Sequence, residues 1–191
     1  VQVMIADKML KEYPDCRVLF LTHQQELIKQ NYESLIKELG IVDAGIYSAG
    51  LNCRDTENKI IFAGIQSVYK KHLELGCFNI VVVDEAHLIP QKNMGMYRTF
   101  ISNMKEQCPY MKIIGLTATP YRLDTGLLTE GDGKIFDEII YRAPLGRLIK
   151  EGYLCELVGK SGIIKPDLSG VHIRGGEYVE SELATACDNS E

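Results

Sequence analysis

The fold of this chain is decided by a stretch near its middle, NIVVVDEAHLIP at residues 79–90. Four branched apolar residues, 80–83, lead directly into two carboxylates and a histidine. An unbroken branched run of this length is typical of a parallel strand that is covered on both faces of its sheet. Ligands of open α/β sheets bind beyond the carboxyl ends of the strands, so Asp84, Glu85 and His87 are predicted to lie at a binding edge. The alternative is that the two carboxylates only cap the helix that follows.

Length and composition indicate one domain with a real core. The chain has 191 residues, of which 46% are hydrophobic and 25% charged. Neither a run of roughly 18 apolar residues, as a membrane span needs, nor a signal peptide is present. Because the sequence begins with Val1 and lacks an initiator methionine, we expect a piece of a longer protein. The net charge of −5 disfavours binding nucleic acid by bulk charge alone but leaves room for a local groove.

The cysteines carry no recognisable spacing. None of the six forms a C-x-x-C pair, which argues against both a zinc site and a disulfide framework. The pattern fits a reducing compartment, and we predict a cytoplasmic protein. The positions concerned are Cys16, Cys53, Cys77, Cys108, Cys155 and Cys187.

Hydrophobic periodicity predicts alternating strands and helices. The predicted strands are 17–22, 44–47, 59–63, 79–83 and 111–116, and the predicted helices are 1–13, 24–39, 66–75 and 96–106. A Gly-rich loop (123–134), a strand (136–141), a short helix (144–152), a strand (154–158) and a weak helix (178–187) follow. This alternation predicts a doubly wound α/β domain over residues 1–160, with a linker segment over 161–191.

Two strand ends carry side chains suited to nucleotide hydrolysis. A carboxylate such as Asp84 just past a buried strand can hold hydrated Mg²⁺, and a neighbour such as Glu85 can orient or deprotonate a water. The next strand ends in GLTATP at 115–120, whose two hydroxyls suit a tight loop beside the acidic site. Each feature also has a purely structural alternative. Taken alone, His87 is typical of a partly buried, hydrogen-bonded structural histidine, and GLTATP is typical of a polar turn.

Together these two stretches resemble motifs II and III of superfamily 2 helicases, with VDEAH at 83–87 as the DEAH box. The stretches LTHQQEL at 21–27 and AGIQSV at 63–68 resemble motifs Ia and Ib. The segments 117–141, 144–154 and 167–171 are similar to RadD-type bacterial DNA-repair helicases, so the resemblance covers nearly the whole chain.

The resemblance implies a fold, a reaction and a set of roles. The fold would be a RecA-like three-layer α/β domain with a mostly parallel sheet. The cofactors would be ATP and Mg²⁺. Asp84 would hold Mg²⁺ through water, Glu85 would activate the hydrolytic water, and both would face the nucleotide. His87 would couple hydrolysis to strand movement together with Thr117 and Thr119.

The implied partners are DNA, or alternatively RNA, and a second RecA-like domain of the same chain, beyond the linker 161–191. The strand-binding face would contact phosphates through hydroxyl and backbone N–H groups. Ordinary solvated surface is the alternative for these polar loop residues. The residues that match this face are Thr22, His23, Gln66 and Ser67, with Ser48, Gly50 and Arg54 as weaker candidates.

One element of the family pattern is missing from the 191 residues. A motor of this kind needs a phosphate-binding G-x-x-x-x-G-K-[ST] loop, and none precedes Asp84. The only Gly-Lys-Ser, at 159–161, has Leu154 where the first glycine belongs, and it follows the acidic motif instead of preceding it. We therefore expect the P-loop strand to be absent, the strand 111–116 to have an unpaired edge, and the fragment alone to be inactive and metal-free.

Three other functions stay open at this point. The motor subunit of a restriction system shares motifs Ia to III. A nucleic-acid-binding module without catalysis is a second alternative, although two strand-end carboxylates would then serve no purpose. A metal hydrolase that used Asp84, Glu85 and His87 directly would need a further ligand cluster, which the sequence lacks.

Overall fold

Helices and strands alternate through the first 120 residues as predicted. A computed structural model describes residues 1–41, 43–91, 94–122, 126–156, 166–174 and 177–188. The elements up to residue 120 are α1 (Gln2–Glu12), β1 (Val18–Thr22), α2 (Gln25–Leu39), β2 (Ala44–Ser48), β3 (Cys53–Arg54), β4 (Ile60–Gly64), α3 (Ile65–Val68), α4 (His72–Leu75), β5 (Ile80–Asp84), a 3-10 turn (Ala86–Leu88), α5 (Met96–Gln107) and β6 (Lys112–Leu116).

Six of these strands form one sheet in the order β3-β2-β4-β1-β5-β6. All neighbours pair in parallel except β3, which is antiparallel to β2. The carboxyl ends of five strands therefore lie along one edge, with Thr22 opposite Gly64 and Asp84 opposite Leu116. This arrangement confirms the predicted α/β fold with a mostly parallel sheet.

Side chains that alternate along each strand build a core on both faces of the sheet. One face packs against α1 and α2, with Phe20 and Phe62 stacked at a centroid distance of 4.9 Å. The intervening residues of β5, Val81 and Val83, are fully buried on the other face. The strands are therefore covered on both sides, as the apolar run at 80–83 predicts. The helix α5 adds Tyr97, Phe100, Ile101 and Met104 to the buried set.

The strand β6 is a terminal strand of this sheet and pairs only with β5 among the described residues. Its residues are half-buried or exposed, in contrast to the fully buried β1 and β4. Among the described residues no strand pairs with the outer edge of β6, the strand predicted at 111–116.

The single helix predicted at 66–75 is wrong. The structure has two short helices, α3 and α4, separated by a turn at Tyr69 and Lys70. Leu75 is buried, and Glu74 accepts a hydrogen bond from the hydroxyl of Tyr47 at 2.6 Å. These tertiary contacts orient α4 independently of α3, and a local pattern of apolar residues does not show them.

The prediction that no disulfide forms is also wrong. Cys77, in the loop before β5, is bonded to Cys108, at the end of α5, at a sequence separation of 31 residues. The β5–α5–β6 unit is thereby closed at the amino edge of the sheet. Spacing alone could not reveal this pair, because it is created by the return of α5 along the sheet.

The chain divides into two compact units, Val1–Pro120 and Tyr121–Glu191. The division at residue 160 stays a prediction. The second unit contains the hairpin strands β7 (Tyr121–Arg122) and β8 (Gly126–Leu127), the helix α6 (Leu145–Lys150), the hairpin strands β9 (Ile173–Arg174) and β10 (Glu177–Tyr178), and the helix α7 (Glu180–Asp188).

Two strands predicted in the second unit do not form as expected. Residues 136–141 are not a strand, and Ile140 and Tyr141 are largely exposed. An apolar run becomes a strand only where a neighbour can pair with it.

Of the strand predicted at 154–158, residues 154–156 are irregular, and the rest lies outside the described residues, as does Gly-Lys-Ser at 159–161. The helices α6 and α7 match the predicted 144–152 and 178–187. The strand β7 precedes the predicted loop 123–134, whereas β8 lies inside it, so the prediction of a loop is wrong at Gly126–Leu127. In the parts of the chain that are described, no helix has both the length and the apolar character to cross a bilayer.

Candidate functional site

The acidic pair sits where β5 reaches the carboxyl edge of the sheet. Asp84 is the last residue of the strand, and the backbone N–H of Glu85 donates to its Oδ1 at 3.2 Å. Glu85 has φ 49° and ψ 53°, a left-handed conformation that is rare for a residue with a long side chain. Such a conformation costs about 1–3 kcal/mol, and residues strained in this way cluster at functional sites. The backbone reversal at Glu85 ends the strand and starts the 3-10 turn that carries His87.

His87 joins the end of β5 to the end of β6. Its ring is buried, and Nδ1 lies 2.8 Å from Oγ1 of Thr117 and 3.3 Å from Oε2 of Glu85. The Thr117 hydroxyl donates to the carbonyl oxygen of Thr119 at 3.1 Å, so it must accept from the ring. A carboxylate can only accept as well. We therefore assign the proton to Nδ1, where it points at both acceptors.

The predicted motif III residues form a tight turn that holds this acceptor in place. The backbone N–H of Thr119 donates to Oγ1 of Thr117 at 3.1 Å. The same Thr117 hydroxyl donates to the carbonyl oxygen of Thr119. The Thr117 hydroxyl thus makes three contacts, and its rotamer is fixed. Asp84, Glu85, His87, Thr117 and Thr119 are brought together at one end of two adjacent strands.

The residues present fit a magnesium ion and not a fully protein-bound metal. Among the described residues, no group of three or more His, Cys, Asp or Glu side chains could hold a metal. Mg²⁺ is commonly held by one or two carboxylates, with water and substrate phosphates completing its shell. Asp84 and Glu85 are half-buried carboxylates at an open edge, which matches that donor set.

The predicted strand-binding residues form a second cluster along the same edge. The amide of Gln66 donates to the carbonyl oxygen of His23 at 3.1 Å. The hydroxyl of Ser67 accepts from the backbone N–H of Ala49 at 2.8 Å. The ends of β1, β2 and β4 are thereby tied together. Gly50 lies against the side chain of Gln25, whose Cδ would be 2.7 Å from a Cβ at that position.

These residues differ in how far they are available to a ligand. Gln66 and Gly50 are exposed, and His23 and Ser67 are half-buried. Nδ1 of His23 is buried without a hydrogen-bond partner among the described residues. Thr22 and Ser48 are only 5% and 4% exposed, so they shape the edge from inside.

Arg54 is engaged within the protein. Its guanidinium lies over the ring of Tyr47, 5.3 Å from the centroid, and donates to the carbonyl oxygen of Cys53 at 2.8 Å. Tyr47 in turn donates to Glu74. Tyr47 and Glu74 hold the arginine beside β2, although its charge is still exposed.

Tyr97 is a buried polar side chain, affected by the charges of the acidic pair, that the sequence did not reveal. Its side chain is 6% exposed, and its hydroxyl is buried without a hydrogen-bond partner among the described residues. Burial raises the pKa of Tyr97, and the negative charges of Asp84 and then Glu85 raise it further. The periodicity of 96–106 predicts Tyr97 only as a core position. The available signal was its hydroxyl, because Tyr97 is the one polar side chain among the four buried positions of α5.

Comparison with solved structures supports this fold. The helicase domain of Pyrococcus furiosus Hef matches with 24% sequence identity and a TM-score of 0.51, over 64% of this chain and 28% of that one. The UvsW helicase of bacteriophage T4 matches with 19% identity and a TM-score of 0.49, over 62% of this chain and 42% of that one. This chain therefore spans less than half the length of either structure. The likeness to Hef shows a RecA-like α/β fold.

Comparison with curated proteins gave no match. A protein-family model does match, over residues 1–122, and this region contains every residue of the two clusters at the carboxyl edge. It is described as "Type III restriction enzyme, res subunit" and covers more than half of the chain. The chain belongs to this ResIII family.

Proposed function

We propose that this chain is the first motor domain of an ATP-dependent DNA helicase or translocase, which couples ATP hydrolysis to movement on nucleic acid. The observation that carries the proposal is the junction of two strand ends, in which His87 contacts both Glu85 and Thr117. A carboxylate that acts on water is thereby linked to a neighbouring loop. Residues 1–160 would form the motor domain, and 161–191 would lead to a second RecA-like domain.

The chemistry would be divided between the two carboxylates. Asp84 would hold Mg²⁺ through water, and the ion, when bound, would neutralise charge on the phosphates of ATP. Glu85 would accept a proton from the attacking water. The N–H of His87 would hold the Glu85 carboxylate in orientation, and the turn at Thr117 and Thr119 would move with it.

The nucleic acid would lie along the ends of β1, β2 and β4. Exposed Gln66, Gly50 and backbone N–H groups would contact phosphates, and Arg54 would add a positive charge near them. Such contacts do not distinguish one base from another. The net charge of −5 makes this a local contact, and we expect binding to weaken steeply with salt.

The isolated 191-residue chain is expected to lack ATPase activity. Without a phosphate-binding loop, no backbone N–H groups and lysine would hold the β- and γ-phosphates in line with the water. Calorimetric titration of the chain with Mg·ATP should show no binding in the micromolar range. Micromolar affinity would contradict this part of the proposal.

For the biological role, we propose a cytoplasmic DNA-repair motor of the RadD type, supported by the resemblance over 144–154 and 167–171. The second candidate is the motor subunit of a restriction system, which the description of the matched family favours. The two differ in what stimulates ATP hydrolysis by the intact protein. A repair motor should respond to any DNA, whereas a restriction motor should require DNA with a recognition sequence. Rates on several unrelated duplexes and single strands distinguish them.

A nucleic-acid-binding module without catalysis is the remaining alternative. It would bind DNA and show no DNA-stimulated ATP hydrolysis in the intact protein. Stimulation that is lost in Glu85→Gln supports the motor, and DNA binding without any hydrolysis supports the module.

A further inference from the structure

The first turn of α5 carries a buried polar group that the proposed mechanism does not use. Tyr97 is 6% exposed, and its hydroxyl has no hydrogen-bond partner among the described residues. A buried hydroxyl without a partner is destabilising, so native structures rarely retain one without a purpose. The neighbouring core residues of α5, such as Phe100 and Met104, fill the same face with apolar atoms alone. Phenylalanine would satisfy packing at position 97 equally well.

The topology of the sheet places this hydroxyl close to the acidic pair. The strands β5 and β6 are parallel neighbours, and α5 connects them in sequence. The helix α5 must therefore begin near the carboxyl edge of the sheet and run back to the amino edge. Its start is fixed to the loop after the DEAH box, because a Cβ on Gly95 would lie 3.0 Å from Cγ of Pro90. Tyr97 is the second residue of the helix and therefore lies at the level where Asp84 and Glu85 emerge.

A carboxylate with a second acceptor oxygen lies at the same level. Oε2 of Glu85 is 3.3 Å from Nδ1 of His87, and Oε1 is the other oxygen of that carboxylate. The Glu85 side chain is 41% exposed and has rotamer freedom that the buried histidine lacks. The charges of Asp84 and Glu85 act on Tyr97 strongly enough to add to the effect of burial on its pKa.

We propose that Tyr97 is a positioning residue, whose hydroxyl donates a hydrogen bond to the second carboxylate oxygen of Glu85. With His87 on one oxygen and Tyr97 on the other, the carboxylate is held in a single orientation. Tyr97 acts on the reaction only through Glu85 and does not contact the nucleotide. The role in catalysis rests on the proposed function, but the contact itself does not.

The contact is tested without ATP, by thermal melting of Tyr97→Phe, Glu85→Ala and the double variant. Loss of a hydrogen bond should lower the melting temperature by about 2–4 °C when Tyr97→Phe is made in the wild type. In the Glu85→Ala background the same change should have no effect or raise the melting temperature. Equal effects in both backgrounds would overturn the proposal, whatever becomes of the proposed function.

The consequence for catalysis is tested in the intact protein by steady-state ATP hydrolysis with DNA. Tyr97→Phe should lower kcat about tenfold and leave KM for ATP unchanged, because it removes one hydrogen bond that orients the base. Tyr32→Phe is the matched control, since it deletes the hydroxyl of a half-buried tyrosine on α2 that packs against the core away from this site. Its kcat should stay at the wild-type value. If Glu85→Gln abolishes hydrolysis while Tyr97→Phe retains full kcat, the positioning role fails and the proposed function stands.

Discussion

Nδ1 of His87 lies 2.8 Å from Oγ1 of Thr117, a contact that spans 30 residues of sequence and joins the ends of two adjacent strands. The same nitrogen lies 3.3 Å from Oε2 of Glu85. One ring proton therefore serves a carboxylate on one strand end and a hydroxyl on the next. Movement of either loop must change the environment of the other, and such coupling is what the proposed motor function would require.

Removal of the Thr117 hydroxyl should disrupt this junction. Thr117→Val keeps the shape of the side chain but removes the nearer of the two acceptors of the His87 Nδ1–H and the acceptor of the Thr119 N–H. We expect a loss of about 1–3 kcal/mol in the free energy of unfolding, measured with urea. Thr117→Ser retains the hydroxyl and should lose much less. Equal midpoints for Thr117→Val and wild type would contradict the assignment of these hydrogen bonds.

The backbone at Glu85 should be strained, and glycine should relieve the strain. Glu85→Gly and Glu85→Ala both delete the carboxylate, so the difference between them isolates the φ of 49°. A side chain in the left-handed region costs about 1–2 kcal/mol, and Glu85→Gly should be more stable than Glu85→Ala by that amount. Urea unfolding of the two variants gives the difference directly. If the alanine variant is the more stable, residue 85 is not left-handed in solution.

The Cys77–Cys108 disulfide should stabilise the β5–α5–β6 unit. A crosslink that closes a loop of 31 residues is expected to contribute about 3–4 kcal/mol by restricting the unfolded chain. Cys77→Ser should therefore lower the free energy of unfolding by that amount under oxidising conditions and by little in the presence of a reductant. Cys155→Ser removes an exposed free thiol and serves as the control. A thiol reagent that modifies Cys77 in the native, oxidised protein would show that the bond is absent.

Alkaline pH should destabilise the contact between Tyr47 and Glu74. Burial and, secondarily, the hydrogen bond to Glu74 raise the pKa of Tyr47 from 10.0 to about 12. In the unfolded chain this tyrosine loses its proton near pH 10, and in the folded protein near pH 12, so the unfolded state binds fewer protons between these values. The contribution of Tyr47 to the free energy of unfolding is fully present below pH 10 and is lost as the pH rises to about 12. Urea midpoints should fall more steeply over this window in wild type than in Tyr47→Phe, and parallel slopes would refute the contact.

The central sheet was predictable because its strands are short and continuously apolar. The apolar run 80–83 is buried only if the sheet is covered on both faces. The end of α2 was also predictable, because Gly40 adopts the left-handed conformation expected of a C-cap glycine. The predicted catalytic residues also come together, since adjacent parallel strands carry their ends to one edge.

Features that depend on contacts distant in sequence were not predictable. The break between α3 and α4 follows from Glu74 reaching Tyr47, and the disulfide follows from the return path of α5. The strand predicted at 136–141 has apolar residues but no pairing partner among the described residues. Tyr97 was recognisable as a core position, but its unpaired hydroxyl is visible only in three dimensions.

In the proposed mechanism Glu85 acts on the water that hydrolyses ATP, and the DNA-stimulated ATPase rate of the intact protein with Glu85→Gln measures this role most directly. The amide keeps the size of the side chain and can no longer accept the proton. We predict a loss of about 100-fold or more in kcat, with binding of ATP and DNA retained. An unchanged hydrolysis rate in Glu85→Gln would contradict the account.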